Sequence, residues 1–203
     1  MIVTINPQDP QPRLIARVVE ALLDGGVVAY PTDTVYGLGC DMFNKRAIKR
    51  VHQIKRQPES KPFSFICPNL KELSQYARVT TYAYKTMRRL LPGPYTFVLE
   101  GSREVPKMML TRRKTAGIRV PDHPIPLALT QILRHPLLST SAADAEGRML
   151  VHAWEVEDLL GNQLDLIVDG GPVAGKLSSV ISLVDDTPEI IREGAGAVEE
   201  FRW

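Results

Sequence analysis

Apolar positions along the chain change period repeatedly, and each change marks an element. Leu14, Ile15, Val18, Val19 and Leu22 fall on one helical face, and Gly25-Gly26 ends that run. Ahead of it, residues 2–5 read as a short strand, separated from the helix by Asn6-Pro7-Gln8-Asp9-Pro10. Val27-Val28-Ala29-Tyr30 is a short apolar run closed by Pro31, as expected of a buried strand. Residues 31–39 turn polar and glycine-bearing and read as a loop. Helical period returns over 45–56, with Ile48, Val51 and Ile54 inward and Lys45, Lys49 and Arg56 outward. Strands are expected at 64–67 and 95–99 with a helix around 82–91 between them, then a strand at 117–120. Pro124 suits the first position of a helix over 124–134. Further strands are expected at 137–140, 166–168, 179–184 and 189–192. No linker, internal repeat or low-complexity tract interrupts this alternation. The pattern predicts a single α/β domain over residues 1–203, with a twisted mixed sheet flanked by helices.

Composition narrows the class. Hydrophobic residues make up 44% and charged ones 24%, ordinary for a soluble globular chain and too apolar for disorder. No apolar run approaches the ~20 residues that span a bilayer, and the first residues carry no secretory pattern. Cys40 and Cys67 belong to no Cys-x-x-Cys, so a reduced, cytoplasmic setting is the expectation. The formal net charge of +2 conceals an asymmetry. Residues 1–150 carry 22 Lys/Arg against 12 Asp/Glu, a net of +10, while residues 151–203 carry 3 against 11, a net of −8. Two readings stand side by side: an anionic partner for the basic part, or an acidic tail that packs near the body and neutralises it.

Several familiar chemistries are excluded by spacing. Gly170-Gly171-Pro172-Val173-Ala174-Gly175-Lys176-Leu177 has the P-loop rhythm but ends in leucine where the magnesium-binding hydroxyl belongs. A strand is expected after it, whereas a P-loop opens a helix, so a turn between two strands is the better reading. His52, His123, His135 and His152 have no ligand spacing among themselves or with the cysteines, and no metal ligand is assigned. No serine lies in a Gly-x-Ser-x-Gly setting. What remains is a set of segments unusual for plain surface. Residues 31–39 follow a buried strand, where α/β folds place ligand loops. Residues 55–62 put Lys55, Arg56 and Lys61 around two prolines. Arg119 falls inside an expected buried strand and therefore needs an anionic partner, a carboxylate or a ligand phosphate. Residues 138–142 end a strand in hydroxyls.

The order of these segments is distinctive. Pro-Thr-Asp-Thr-Val-Tyr-Gly-Leu-Gly at 31–39 is followed by Lys-x-x-Pro-x-x-Lys-Pro at 55–62 and Pro-Gly-Pro-Tyr-Thr-Phe at 92–97. Gly-Ile-Arg-Val-Pro-Asp-His-Pro at 117–124, Ser-Thr-Ser-Ala at 139–142 and Ile-Arg-Glu-Gly-Ala at 191–195 complete the set. Together they resemble the YrdC/YciO family, the threonylcarbamoyl-AMP synthase type, over essentially the whole chain, and look most like its YciO branch. The resemblance implies a YrdC-like fold with a basic concave groove. It implies ATP-dependent formation of threonylcarbamoyl-adenylate from L-threonine, bicarbonate and ATP, linked to the t6A modification of tRNA, with Mg2+ accompanying the triphosphate. Thr34, Arg119, Ser139 and Ser178 match positions that hold the threonine moiety. Lys55, Lys61, Thr115, Ser141 and Arg192 match positions facing nucleotide and phosphates, with Lys55, Arg119 and Ser141 nearest the chemistry. The chain departs from the family's synthases twice: Gln57 stands where they carry arginine, and Ala143 where they carry asparagine. The expected consequence is reduced activity or a related acyl substrate. The competing class is a module for tRNA or double-stranded RNA that uses the same groove without the chemistry, with Arg56, Arg112, Arg113 and Lys114 on phosphates. Oligomeric state is left open.

Overall fold

The computed structural model describes residues 1–60 and 63–202. It is a single α/β domain built on a ten-stranded mixed sheet. In chain order the strands are β1 (Ile2–Thr4), β2 (Val28–Tyr30), β3 (Gly37–Asp41), β4 (Ser64–Ile66), β5 (Tyr95–Glu100), β6 (Thr115–Arg119), β7 (Leu137–Ser141), β8 (Leu166–Asp169), β9 (Ser179–Ser182) and β10 (Glu189–Arg192). They lie side by side as β1-β8-β2-β3-β7-β4-β6-β5-β9-β10. The helices are α1 (Pro12–Leu23), α2 (Lys45–Ile54), α3 (Leu70–Tyr76), α4 (Thr81–Leu90), α5 (Pro124–Leu133) and α6 (Ala153–Leu160).

Successive strand residues point to opposite faces, and the two cores follow that alternation. Ala29, Leu38, Phe65, Phe97, Ile118, Leu138 and Ile167 face α2, α3, α4 and α6. Val28, Tyr30, Ile66, Leu137, Leu166 and Val168 face α1 and α5. This second face is only partly covered. Beyond the two helices it presents Gly37, Ser64, Thr96, Gly117 and Ser139, residues that are too small or too polar to seat another helix. That bare stretch of sheet is where the ligand cavity lies.

Three features depart from the sequence reading. Strand β3 begins at Gly37, inside the segment expected to be a loop. Its Gly-Leu-Gly-Cys-Asp has no β-branched residue and two glycines, so its propensity points away from strand. Packing overrides it, because the Tyr30 ring lies against the sheet where side chains at 37 and 39 would stand. A Cβ at Gly39 would sit 2.7 Å from that ring. Helices α3 and α6 were not anticipated, both being shorter than the window in which helical period becomes legible. Finally, the expected turn at 170–177 is a strap. It leaves β8, second in the sheet, and ends at β9, ninth, without forming helix or strand. The lack of a helix there agrees with rejecting a P-loop. Its backbone is tied down along the way: Val173 N–H donates to Val151 O at 3.1 Å and Gly175 N–H to Thr34 O at 2.7 Å.

Candidate functional site

A cavity of about 330 Å³ opens on the bare face of the sheet. Gly37 of β3, Ser139 and Ser141 of β7, Ser64 of β4, Arg119 of β6 and Arg192 of β10 contribute to its walls. The strap adds Leu177 and Ser178, and the end of α2 adds Lys55 and Gln57. Among the described residues no aspartate or glutamate lines it, whereas Lys55, Arg119 and Arg192 do.

Arg119 is the most constrained of them. Its side chain is 12% exposed and pairs with Asp33, itself 11% exposed. The same Nη2 donates to Thr34 Oγ1 at 2.9 Å. Burial lowers the Arg119 pKa, and the Asp33 carboxylate opposes that shift. The anionic partner demanded by a buried arginine is thus supplied by the protein, from a motif flanked by two threonines. Arg119 Nε and Asp33 Oδ2 are buried without partners among the described residues. Arg192 comes from the acidic tail and donates from Nε and Nη2 to Ser178 O at 3.1 and 2.9 Å. Its pKa is lowered by burial and then by the Arg119 cation. Two guanidiniums that repel each other inside one cavity favour an anionic ligand between or beside them.

Six of the residues matched by resemblance come together here: Lys55, Arg119, Ser139, Ser141, Ser178 and Arg192. Lys55 Nζ reaches the Ser141 carbonyl at 2.8 Å. Ser178 Oγ meets Thr96 Oγ1 at 2.9 Å. Thr34 is fully buried behind Arg119 and is not part of the cavity wall. Thr115 lines a neighbouring chamber of about 200 Å³ that shares Ser64, Thr96 and Arg192 with the first. Lys61 lies outside the described residues. Arg56 is exposed beside the lining Lys55 and Gln57, and Arg112, Arg113 and Lys114 are exposed between Thr111 and Thr115 of the second chamber. Sequence reasoning missed Asp33, Ser64 and Thr96. Asp33 was inside a quoted motif, and the need for a carboxylate against Arg119 was the available signal. Ser64 and Thr96 carried none beyond being polar residues in strands.

Two imidazoles, His52 buried and His123 half-buried, have pKa values lowered by their surroundings. His52 stacks on Phe63, ring centroids 4.3 Å apart, with Nδ1 buried and unpartnered. His123 caps α5, its Nδ1 accepting from Ile125 N–H at 3.2 Å. Burial holds both below the ordinary imidazole range. Below about pH 6.5 the unfolded chain therefore takes up more protons than the folded one. Stability is unaffected by these groups above that pH and falls as pH drops below it. Calorimetry should show a falling Tm between pH 7.5 and 5.5. His52→Phe should flatten that slope, while losing at every pH the hydrogen bond between the ring and the Gln57 backbone. A slope unchanged in the variant would assign the effect elsewhere.

Comparison with known proteins gives consistent results. The family model Sua5/YciO/YrdC, described as "Telomere recombination", matches residues 20–194. Uncharacterized protein YciO of Escherichia coli strain K12 is 44% identical over 200 residues, 97% of each chain. A crystal structure of E. coli YciO superposes with a TM-score of 0.95 at 42% identity, over 100% of this chain and 99% of that one. A threonylcarbamoyl-AMP synthase of Vibrio vulnificus strain YJ016 is 36% identical over 159 residues, 77% of this chain and 86% of the relative. The crystal structure of P. abyssi Sua5 complexed with L-threonine superposes with a TM-score of 0.92 at 29% identity. That match covers 98% of the present chain and 59% of the longer one.

Proposed function

The chain belongs to the Sua5/YciO/YrdC family, and from that premise we propose that its cavity performs the reaction named in its synthase relatives, ATP-dependent formation of threonylcarbamoyl-AMP. The observation that carries this reading is the placement of Arg119 and Arg192 in one cavity with hydroxyls between them and no lining carboxylate among the described residues. An amino-acid carboxylate and a nucleotide phosphate are two anions that such a cavity can hold apart.

In the reaction, the threonine amine and bicarbonate condense to a carbamate with loss of water. A carbamate oxygen then bonds to the α-phosphorus of ATP as the bond to pyrophosphate breaks. Neither step needs a covalent enzyme nucleophile. What it needs is alignment and cations where phosphate charge develops. Arg119 and Ser139, with Ser178 beside them, would take the threonine end. Lys55, Ser141 and Arg192 would face the phosphates, with Thr115 and Lys61 on the nucleotide. Mg2+ would arrive on the triphosphate's own oxygens, since the described residues contain no group of three His, Cys, Asp or Glu that could hold it. The adenylate, a mixed anhydride, suits onward transfer to a tRNA base.

The departures bear on rate. Gln57 lines the cavity. Ala143 forms an isolated bridge with Met149, which lines it too. The first puts a neutral amide where the family's synthases have a guanidinium, and the second removes a side-chain amide altogether. The expected outcome is slow pyrophosphate release that requires both L-threonine and bicarbonate. Release that is independent of either would refute the reading.

A further inference from the structure

Tyr30 is fully buried, with no contact to the cavity, yet its phenol ends on a cavity residue. The ring lies against Gly37 and Gly39 of β3, and Tyr30 Oη donates to Ser139 Oγ at 2.7 Å. Ser139 is the hydroxyl's partner among the described residues. A buried phenol has a single proton, and leaving it unpaired is costly. That proton therefore goes to Ser139 Oγ, and the proton of Ser139 must point elsewhere, toward the cavity that Ser139 lines.

The neighbouring hydroxyls obey the same logic. Arg119 Nη2 donates to Thr34 Oγ1, so Thr34 must pass its own proton on. Thr32 Oγ1 donates to Val35 O at 2.7 Å and lies 3.0 Å from Thr34 Oγ1, so Thr34 is the donor of that pair. The protons of the relay Arg119, Thr34, Thr32 are all used within the protein, the last on the Val35 carbonyl. Thr34 N–H and Val35 N–H also approach Thr32 Oγ1, at 3.2 and 3.3 Å, and share its second lone pair. At this place in the wall the Arg119 guanidinium and the Ser139 hydroxyl are both donors.

We propose that Tyr30 is a positioning residue that fixes Ser139 as a hydrogen-bond donor, so that this wall of the cavity selects an acceptor-only group, a carboxylate. The inference rests on the reading that the amino-acid end of the substrate sits here, and adds what sets the wall's polarity. Burial raises the Tyr30 pKa above the ordinary phenol range, which keeps the proton in place at any working pH.

Four proteins test it: wild type, Tyr30→Phe, Ser139→Ala and the double variant. Calorimetry with L-threonine should show about a tenfold weaker Kd for Tyr30→Phe, while the Kd for ATP changes less than about twofold. The double variant should bind threonine no worse than Ser139→Ala. Unfolding of the same proteins without ligand should show coupling, because Ser139→Ala strands the Tyr30 proton and Tyr30→Phe then relieves it. Wild-type affinity in Tyr30→Phe, or multiplicative losses in the double variant, would overturn the proposal. So would additive unfolding effects, whatever the ligand, and so would a wild type that binds no threonine at millimolar concentration. A wild type that binds threonine but releases no pyrophosphate refutes the synthase reading alone and leaves Tyr30 its role.

Discussion

Arg119→Met is expected to lower folding stability by about 3–5 kcal/mol and to abolish measurable L-threonine binding. The stability loss comes from the residue left behind. Asp33 is 11% exposed, and its second oxygen already lacks a partner, so removing the guanidinium leaves a buried carboxylate with neither cation nor donor. Breaking one side of a buried ion pair typically costs this much, whereas replacing both sides is often close to neutral. Asp33→Asn added to Arg119→Met should therefore recover most of the stability and none of the binding. Urea unfolding midpoints measure the first effect and calorimetry the second. A single variant as stable as wild type would show that the pair does not hold the turn at 31–36.

The second large effect runs in the opposite direction. Restoring Gln57→Arg and Ala143→Asn together should raise threonine-dependent pyrophosphate release, by about 10²–10³ for each donor returned. Gln57 lies at the end of α2 beside Lys55, so an arginine there starts from the cavity wall. Residue 143 follows β7 and is held opposite the lining Met149 by backbone pairing. Neither position is packed in the core, and stability should change little. A rate that stays at the wild-type level in a folded double variant would mean that these departures are not what limits the reaction.

How much of this was legible beforehand depended on which physical rule governed each stretch. Helix α1 announced itself because Ile15, Val18, Val19 and Leu22 are both apolar and buried on one face. Strand β3 did not, because its stability comes from Tyr30 covering its glycines, a contact between residues that local propensity treats separately. The motif residues of the cavity were identified from their types and order, yet their division of labour was not. Arg119 advertised the need for an anion, but Asp33 and Thr34 could be ranked only by burial and proton direction. The charge split is partly neutralised within the fold. Residues of the acidic tail make exposed pairs with the body, such as Arg89–Glu200 at 2.6 Å, worth little individually. The same tail also delivers the cation Arg192 into the cavity.

The strap at 170–178 has a consequence for the order in which the protein becomes competent. It joins contacts 135 residues apart, with Tyr36 Oη donating to Gly171 O. Pairings of such long range form late and slowly. A nascent chain that has emerged only as far as residue 169 possesses the first eight strands, with β5 as a raw edge and neither Ser178 nor Arg192 in place. It can assemble a sheet but not a binding site. Ligand protection against proteolysis should therefore appear only once β9 and β10 have docked, which makes ligand binding a read-out of that docking.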